Sequence, residues 1–353
     1  MKISKNILFL IIRISNLKEL KNIINLNDIK KYDFILKFSN KLIDLLQKGN
    51  FKTIIKHTKF VDHIKILPDG KLLSCSEDGT INIYNKQNYQ LQQKINVSSG
   101  VVYIESLTNN NIISCCFDGK LRIYELKGDS SKLIRQLEGH TNIALKVILI
   151  ENKNLLISCS RDKTMKIWKK DKKDDYNYNC IKSLIIGDKN NDTNTNILKI
   201  NENKLVSSSC NCNFIKFFDM KNDFKEITTI NNISINWGWN SMIIFKENIL
   251  IIGGIENKGI YLIDTNSYKI VSNILEDFNI YSVIKLINGN ILIDCNYNNK
   301  NNSLIEFQYD NNELIKIKSK EFAHSNAIVG LFEMEENIII SSSGDCSIKF
   351  WVL

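Results

Sequence analysis

Four histidines and nine cysteines are the residues of this chain best suited to chemistry, and their spacing limits which chemistry is open to them. Three histidines precede an aspartate by nearly the same interval: His57 and Asp78, His140 and Asp162, His324 and Asp345, at offsets of 21, 22 and 21. A histidine oriented by a carboxylate is the core of a general base or a metal ligand. The three pairs recur in separate segments, so they read as a repeated structural device rather than one convergent site. His63, the fourth, opens a β-patterned stretch and reads as a satisfied or rim histidine. Cys75, Cys115 and Cys159 each stand three residues before Asp78, Asp118 and Asp162. Equivalent positions of that kind point to packing of a small apolar group. Cys115 and Cys116 are adjacent, and Cys210-Asn211-Cys212 lacks the C-x-x-C spacing of a zinc half-site. No phosphate loop, nucleophile elbow or H-E-x-x-H motif occurs. The reading is a non-enzyme with no catalytic residue, cofactor or metal.

The elements that carry these residues form a repeat. Seven segments end in a β-alternating run: Thr80–Tyr84, Lys120–Tyr124, Thr164–Trp168, Phe214–Phe218, Gly259–Ile263, Ser303–Phe307 and Ser347–Trp351. Their last residues are spaced by 40, 44, 50, 45, 44 and 44, the period of a four-stranded propeller blade. Ahead of the runs lie short apolar stretches that end in small residues, such as Leu72–Ser76, Leu155–Ser160, Leu205–Ser209 and Ile338–Ser343. A strand apolar on both sides is buried on both faces, as stacked blades require. Between the two strands stands Asp-Gly, as in Asp78-Gly79 and Asp118-Gly119, or an Asp-led variant, Asp162-Lys163 and Asp345-Cys346. This is turn chemistry for positive φ.

In these residues the segments resemble WD40 repeats of the G-protein β-subunit type. The resemblance implies an all-β, seven-bladed propeller of four-stranded antiparallel blades over residues 51–353. It also implies a buried hydrogen-bonded tetrad in each regular blade: His140, Ser158, Asp162 and Trp168; His324, Ser341, Asp345 and Trp351; and, with a tyrosine in place of tryptophan, His57, Ser74, Asp78 and Tyr84. The other four blades are degenerate, with Cys212, Asn257 and Asn301 at the place of the turn aspartate, and are expected to hold by apolar packing alone. The last repeat stops after its third strand, so Phe51–Lys56 is expected to supply the missing outer strand and close the ring. In such propellers partners dock on the narrower face. The positions implied there are Lys59, Glu77, Phe117, Arg161 and Gly344, with Trp237 in the same register. The function implied is a scaffold or adaptor for a protein or peptide, working as a monomer or within a larger complex. Two alternatives stay open. A propeller hydrolase would need metal-ligating acids on inner strands, for which Asp62, Glu105 and Glu333 are the candidates. A cullin-type ubiquitin-ligase substrate receptor would carry W-D-x-R after a third strand, where this chain has Trp168-Lys169-Lys170 and Trp351-Val352-Leu353. An F-box is excluded because its Leu-Pro cannot be supplied by Pro68, the one proline.

Composition agrees with a globular protein: 43% hydrophobic and 24% charged over 353 residues. The +9 charge is spread along the chain, and its densest cluster, Lys169–Lys173, meets Asp174 and Asp175 at once, so no nucleic-acid stripe is expected. Two polar excursions interrupt the repeat, Lys169–Asn179 and Gly187–Asn196. Residues 1–50 read as a helical extension: Leu17, Leu20 and Ile24 share one face, a second face runs from Ile29 to Leu46, and Gly49 is a C-terminal cap. The apolar run Ile7–Ile12 is broken by Arg13 and is too short to span a bilayer, so no membrane role is expected. With no export signal, the cysteines read as thiols of a cytoplasmic or nuclear protein.

Overall fold

The computed structural model describes residues 55–352, apart from 87–88, 109–110, 188–194, 210–213, 234–240, 255–258, 275–278, 298–300, 311–312 and 336–337. The helical extension, the first four residues of the closing strand, Trp237, and the turn positions Cys212 and Asn257 lie outside the described residues.

Among the described residues, 28 strands form seven antiparallel sheets of four, a seven-bladed propeller. Six blades are meanders in chain order. The first is Val61–Ile66, Leu72–Ser76, Thr80–Tyr84 and Leu91–Asn96. The seventh takes its inner three strands from Ile328–Glu335, Ile338–Ser343 and Ser347–Val352, and its outer strand from Ile55–Lys56. Ile55 lies opposite Ile348 and Lys56 opposite Ser347, and the His57 amide then donates to the Cys346 carbonyl at 3.2 Å. Joining the two ends of the ring removes the edge that the last blade would otherwise expose.

Second strands such as Leu72–Ser76, Leu155–Ser160 and Ile338–Ser343 are buried at every position. Their large residues fill the space between blades, and their Ser and Cys residues sit where neighbouring sheets come closest. The junction of the first two blades packs Leu73, Ile81 and Ile83 against Ile104, Ile112 and Tyr124. The closing junction packs Val61, Ile64, Leu72 and Tyr84 against Ile340, Ile348 and Phe350.

A second device, unseen in the sequence, ties the blades together. Tyrosines at the turn from third to fourth strand fold back onto the preceding blade. Tyr309 of blade six stacks edge-on to Phe245 of blade five at 5.3 Å, under the Lys246 ammonium at 4.2 Å. Tyr268 of blade five meets Phe217 of blade four at 4.9 Å and Lys204 at 5.0 Å. The Tyr176 hydroxyl of blade three accepts from Asn111 of blade two. Tyr89 of blade one packs on Phe350 of blade seven and donates to Met334 Sδ, so the pattern also closes on itself.

Blade six departs most from the others. Its inner strand is only Val283–Lys285, and Asp294 Oδ1 accepts the Tyr281 and Ser282 amides at 2.8 and 2.5 Å just ahead of it. Asn301 is not a turn residue as the repeat alignment suggested. It begins the strand Asn301–Asp310 and pairs with Tyr297, because the ladder in this blade runs further than in the regular ones. Similarly, the Gly187–Asn196 excursion ends early: Thr195 and Asn196 already belong to the inner strand of blade four, opposite Ser209 and Ser208.

Candidate functional site

Three Ser–His–Asp constellations are assembled, in blades one, three and seven. In blade three His140 Nδ1 stands 2.8 Å from Asp162 Oδ2, His140 Nε2 2.7 Å from Ser158 Oγ, and Trp168 Nε1 donates to the same Oγ at 2.8 Å. Blade seven repeats this with His324, Asp345, Ser341 and Trp351 at 2.8, 2.6 and 2.6 Å. Blade one uses His57, Asp78 and Ser74 at 3.0 and 2.7 Å, with the Tyr84 hydroxyl 3.3 Å from the serine.

The proton order follows from the inventory of donors. An ionised aspartate only accepts, so Nδ1 carries a hydrogen. Burial lowers the pKa of His57 and of His324, with partial compensation by Asp78 and Asp345, so both rings are neutral and Nε2 accepts from the serine hydroxyl. The serine oxygen then accepts the tryptophan N–H. Burial alone would raise the Asp78 carboxyl, but hydrogen bonds from Thr80, the Thr58 amide and His57 outweigh it and hold it at about 2. Asp162 and Asp345 are held lower still by their histidines and by Thr164 and Ser347.

These are the atoms of an acyl-transfer triad, but they cannot act as one. Ser158, Ser341 and Ser74 are fully buried, and in blades three and seven the would-be nucleophile is occupied by an indole N–H. A nucleophile must reach its carbonyl. These networks instead hold each entry loop to the turn beyond it: the Thr141 amide of the loop also donates to Asp162.

Blade two lacks the histidine and replaces it. Arg122, on the third strand, is buried and forks onto Asp118 at 3.0 and 2.5 Å, with a further bond from Nη2 to Ser98 Oγ at 3.1 Å. The sequence did hold a signal for this, a guanidinium where the equivalent strands carry Asn82, Lys166 and Lys349.

Around the inner strands runs a buried polar arc. His63 is no rim residue. It is 4% exposed, stacked on Tyr103 with ring centres 4.0 Å apart, and Nδ1 has no hydrogen-bond partner. Burial drives its pKa well down, helped by Lys65 and Lys146. Lys146 Nζ lies 5.7 Å from the Tyr103 ring centre and donates to Asn196 Oδ1 at 3.0 Å, and Asn196 donates to Ser241 Oγ at 3.4 Å. Side chains at or next to the starts of successive inner strands thus link blades one to five. Cys75, Cys115 and Cys159 lie opposite His63, Tyr103 and Lys146, fully buried, with burial raising their thiols (Cys159 to about 12). They are packing groups.

The candidate metal-ligating acids do not converge. Glu105 is ion-paired with Lys65, Glu333 accepts the Ile287 amide of the neighbouring blade, and Asp62 is buried in blade one. Among the described residues no three His, Cys, Asp or Glu side chains come within reach of one ion, and no helix is long and apolar enough to cross a membrane.

The face that carries the entry loops and the turns between second and third strands is a continuous strip from blade seven to blade three. Each residue ahead of a turn Asp is bonded to its own entry loop: Glu77 to Phe60, Phe117 to Gly100, Arg161 to Ile143 and Gly344 to Ala327, at 2.9 to 3.2 Å. Glycines let adjacent blades touch. A Cβ on Gly344 would run into the Phe60 ring, one on Gly100 would stand 3.1 Å from the Glu77 carbonyl, and one on Gly119 2.7 Å from the His140 carbonyl. Gly344 is therefore buried beneath a phenyl ring and not a contact residue, contrary to its place in the repeat. Lys59 and Arg161 are exposed, Glu77 and Phe60 partly so, and Phe117 is 37% exposed.

Comparison with known proteins places this geometry. The family model for the WD domain, G-beta repeat, matches residues 49–85 and 131–169, the stretches that hold the tetrads of blades one and three. The chain is a WD40-repeat propeller. As such it superposes on a chain of the crystal structure of the mitotic checkpoint complex with a TM-score of 0.68 and 15% identity, covering 85% of this chain and 93% of that one. It matches the WD40 β-propeller domain of Doa1 with a TM-score of 0.66 and 18% identity, over 84% of this chain and 94% of that one. At such identities the likeness is one of fold. No curated protein matches this WD40 propeller by sequence.

Proposed function

We propose that this WD40 propeller is a non-enzymatic platform that binds a partner protein or peptide on its entry-loop face. The observation that carries the reading is the strip from Gly344 to Arg161, in which an exposed phenyl ring, a second ring and an exposed arginine are fixed to the rigid turns of four consecutive blades. Rigid aromatics and arginine are the residue types that dominate binding energy, because they bring large contact area at little entropic cost. The sealed serines and the scattered acids support the same reading from the other side, since the serines are enclosed and the described acids do not converge. The comparison with a chain of the mitotic checkpoint complex, itself a component of an assembly, is in keeping with it. From the sequence alone we propose a cytoplasmic or nuclear protein, with residues 1–50 as a helical extension of the platform.

The test is crosslinking and affinity purification from native cells with the wild type, an entry-face variant (Phe117→Asp with Arg161→Glu) and an outer-strand variant (Ile185→Asp). The platform reading expects partners to be lost from the entry-face variant alone. Retention of every partner by that variant, with an unchanged melting temperature, overturns it.

A further inference from the structure

Resting on that reading, we infer that the partner segment is apolar at its centre and acidic on either side, an extended peptide that seats an apolar side chain on the Phe60–Phe117 pair and carboxylates at Lys59 and Arg161. The two rings belong to one surface. Phe60 is bonded through its carbonyl to the Glu77 amide, the Glu77 carbonyl would lie 3.1 Å from a Cβ on Gly100, and Gly100 in turn lies beneath Phe117. Both rings rest on glycines that leave no room for a side chain, so they are held in place before a partner arrives. Such preorganised aromatic surface favours an apolar anchor.

The acids of this face differ in what they offer. Asp78 and Asp162 are almost wholly enclosed, and their oxygens take donors from their own blades. Asp118 is claimed by the fork of Arg122. Of the charges that a partner can touch, Asp118 is exposed but met by Arg122, Lys59 stands beside Phe60, and Arg161 stands beyond Phe117 next to Ile143. Glu77 lies between the rings, which confines cationic character to the two flanks. An arginine reads a carboxylate through paired N–H bonds, and like charges placed there by a wrong partner are repelled.

A random 12-residue peptide library displayed on phage and panned against the full chain tests the inference. Enriched peptides are then measured by fluorescence anisotropy on the wild type, Phe117→Ala, and the double reversal Lys59→Glu with Arg161→Glu, with melting temperatures confirming the fold. The expected peptides have an apolar core flanked by Asp or Glu. Phe117→Ala should weaken them at least tenfold, and so should the charge reversal, which should in turn select Lys- or Arg-flanked peptides. Peptides that depend on Phe117 but carry no acids, or ignore the reversal, overturn this inference and leave the platform standing. Peptides indifferent to both variants, or no enrichment at all, overturn both.

Discussion

Replacing Lys146 by methionine should stabilise the propeller at neutral pH, although it removes a hydrogen bond. The amine is fully enclosed on the inner strand of blade three. Burial lowers its pKa from 10.5 to about 8, with Cys159 and Glu105 offsetting only part of the effect and Lys65 adding to it. Keeping the proton in that setting costs about 3 kcal/mol at pH 7, at roughly 1.4 kcal/mol per pH unit. Methionine fills a similar volume without charge but gives up the 3.0 Å bond to Asn196, worth about 1.5–3 kcal/mol because its donor is charged. The net gain is at most about 2 kcal/mol. Linkage makes the claim specific. The unfolded lysine keeps its proton to about pH 10.5 while the folded one releases it near 8, so the unfolded chain binds more protons between those values. Wild-type stability therefore rises relative to the variant across that window, and the gap closes by about 3 kcal/mol and changes sign. Buried phenols remote from Lys146, such as Tyr84 at about 12, act in the opposite sense above pH 10, but they are common to both proteins and cancel in the difference. Urea unfolding followed by tryptophan fluorescence from pH 6.5 to 10.5 measures this. A variant less stable at pH 7, or a gap that does not move with pH, refutes the reasoning.

Three further outcomes are expected. Ser158→Ala leaves both His140 Nε2 and Trp168 Nε1 without their shared partner and should cost about 2–4 kcal/mol by urea unfolding. Ser114→Ala in blade two, whose hydroxyl has only contacts of 3.4 and 3.6 Å to the Arg122 carbonyl and Cys116, should cost about 1 kcal/mol or less, and equal losses would sink the network argument. Gly119→Ala, at φ +79° with a carbonyl 2.7 Å from the new Cβ, should lose at least about 1–2 kcal/mol, whereas Lys163→Gly, which relieves a lysine at φ +71°, should be neutral or mildly stabilising in thermal melts. Acid should destabilise in two stages. The lowered pKa values of His57 and His324 give stability that is lost below about pH 6.5, and the lowered Asp78, Asp162 and Asp345 give stability that is lost as pH falls below about 4. A melting temperature that holds steady from pH 7 to 3 would contradict both stages.

The ring was legible because the repeat writes it seven times, in second strands that are apolar on both sides and in turns that need Asp-Gly. The three tetrads were legible because histidine is scarce here and falls at a fixed distance from aspartate. What escaped was whatever lacks a fixed interval. The tyrosine latches sit five residues past Tyr84 and Ile263, eight past Trp168 and two past Phe307, so no spacing rule finds Tyr89, Tyr268, Tyr176 and Tyr309. Arg122 escaped because it stands on the third strand, four residues past its aspartate, whereas the tetrad draws its partner for that aspartate from the entry loop. The polar arc of His63, Tyr103, Lys146 and Asn196 escaped because no two of its members share a residue type.

These omissions explain how blades without a tetrad persist. Blades one, three and seven carry the His–Asp clasp and blade two the Arg122 fork. The sector from four to six has neither among the described residues, yet it is not held by apolar packing alone: Tyr268 ties five to four and Tyr309 ties six to five, each ring beneath a lysine of the preceding blade. A clasp orders the loop and turn of its own blade at the entry face. A latch orders the junction between two blades at the opposite end of their strands. Where clasps are missing, the latches keep the circle shut while placing no demand on the entry loops. Among the described residues, the clasps and the Arg122 fork fix the entry face along the strip from Gly344 to Arg161.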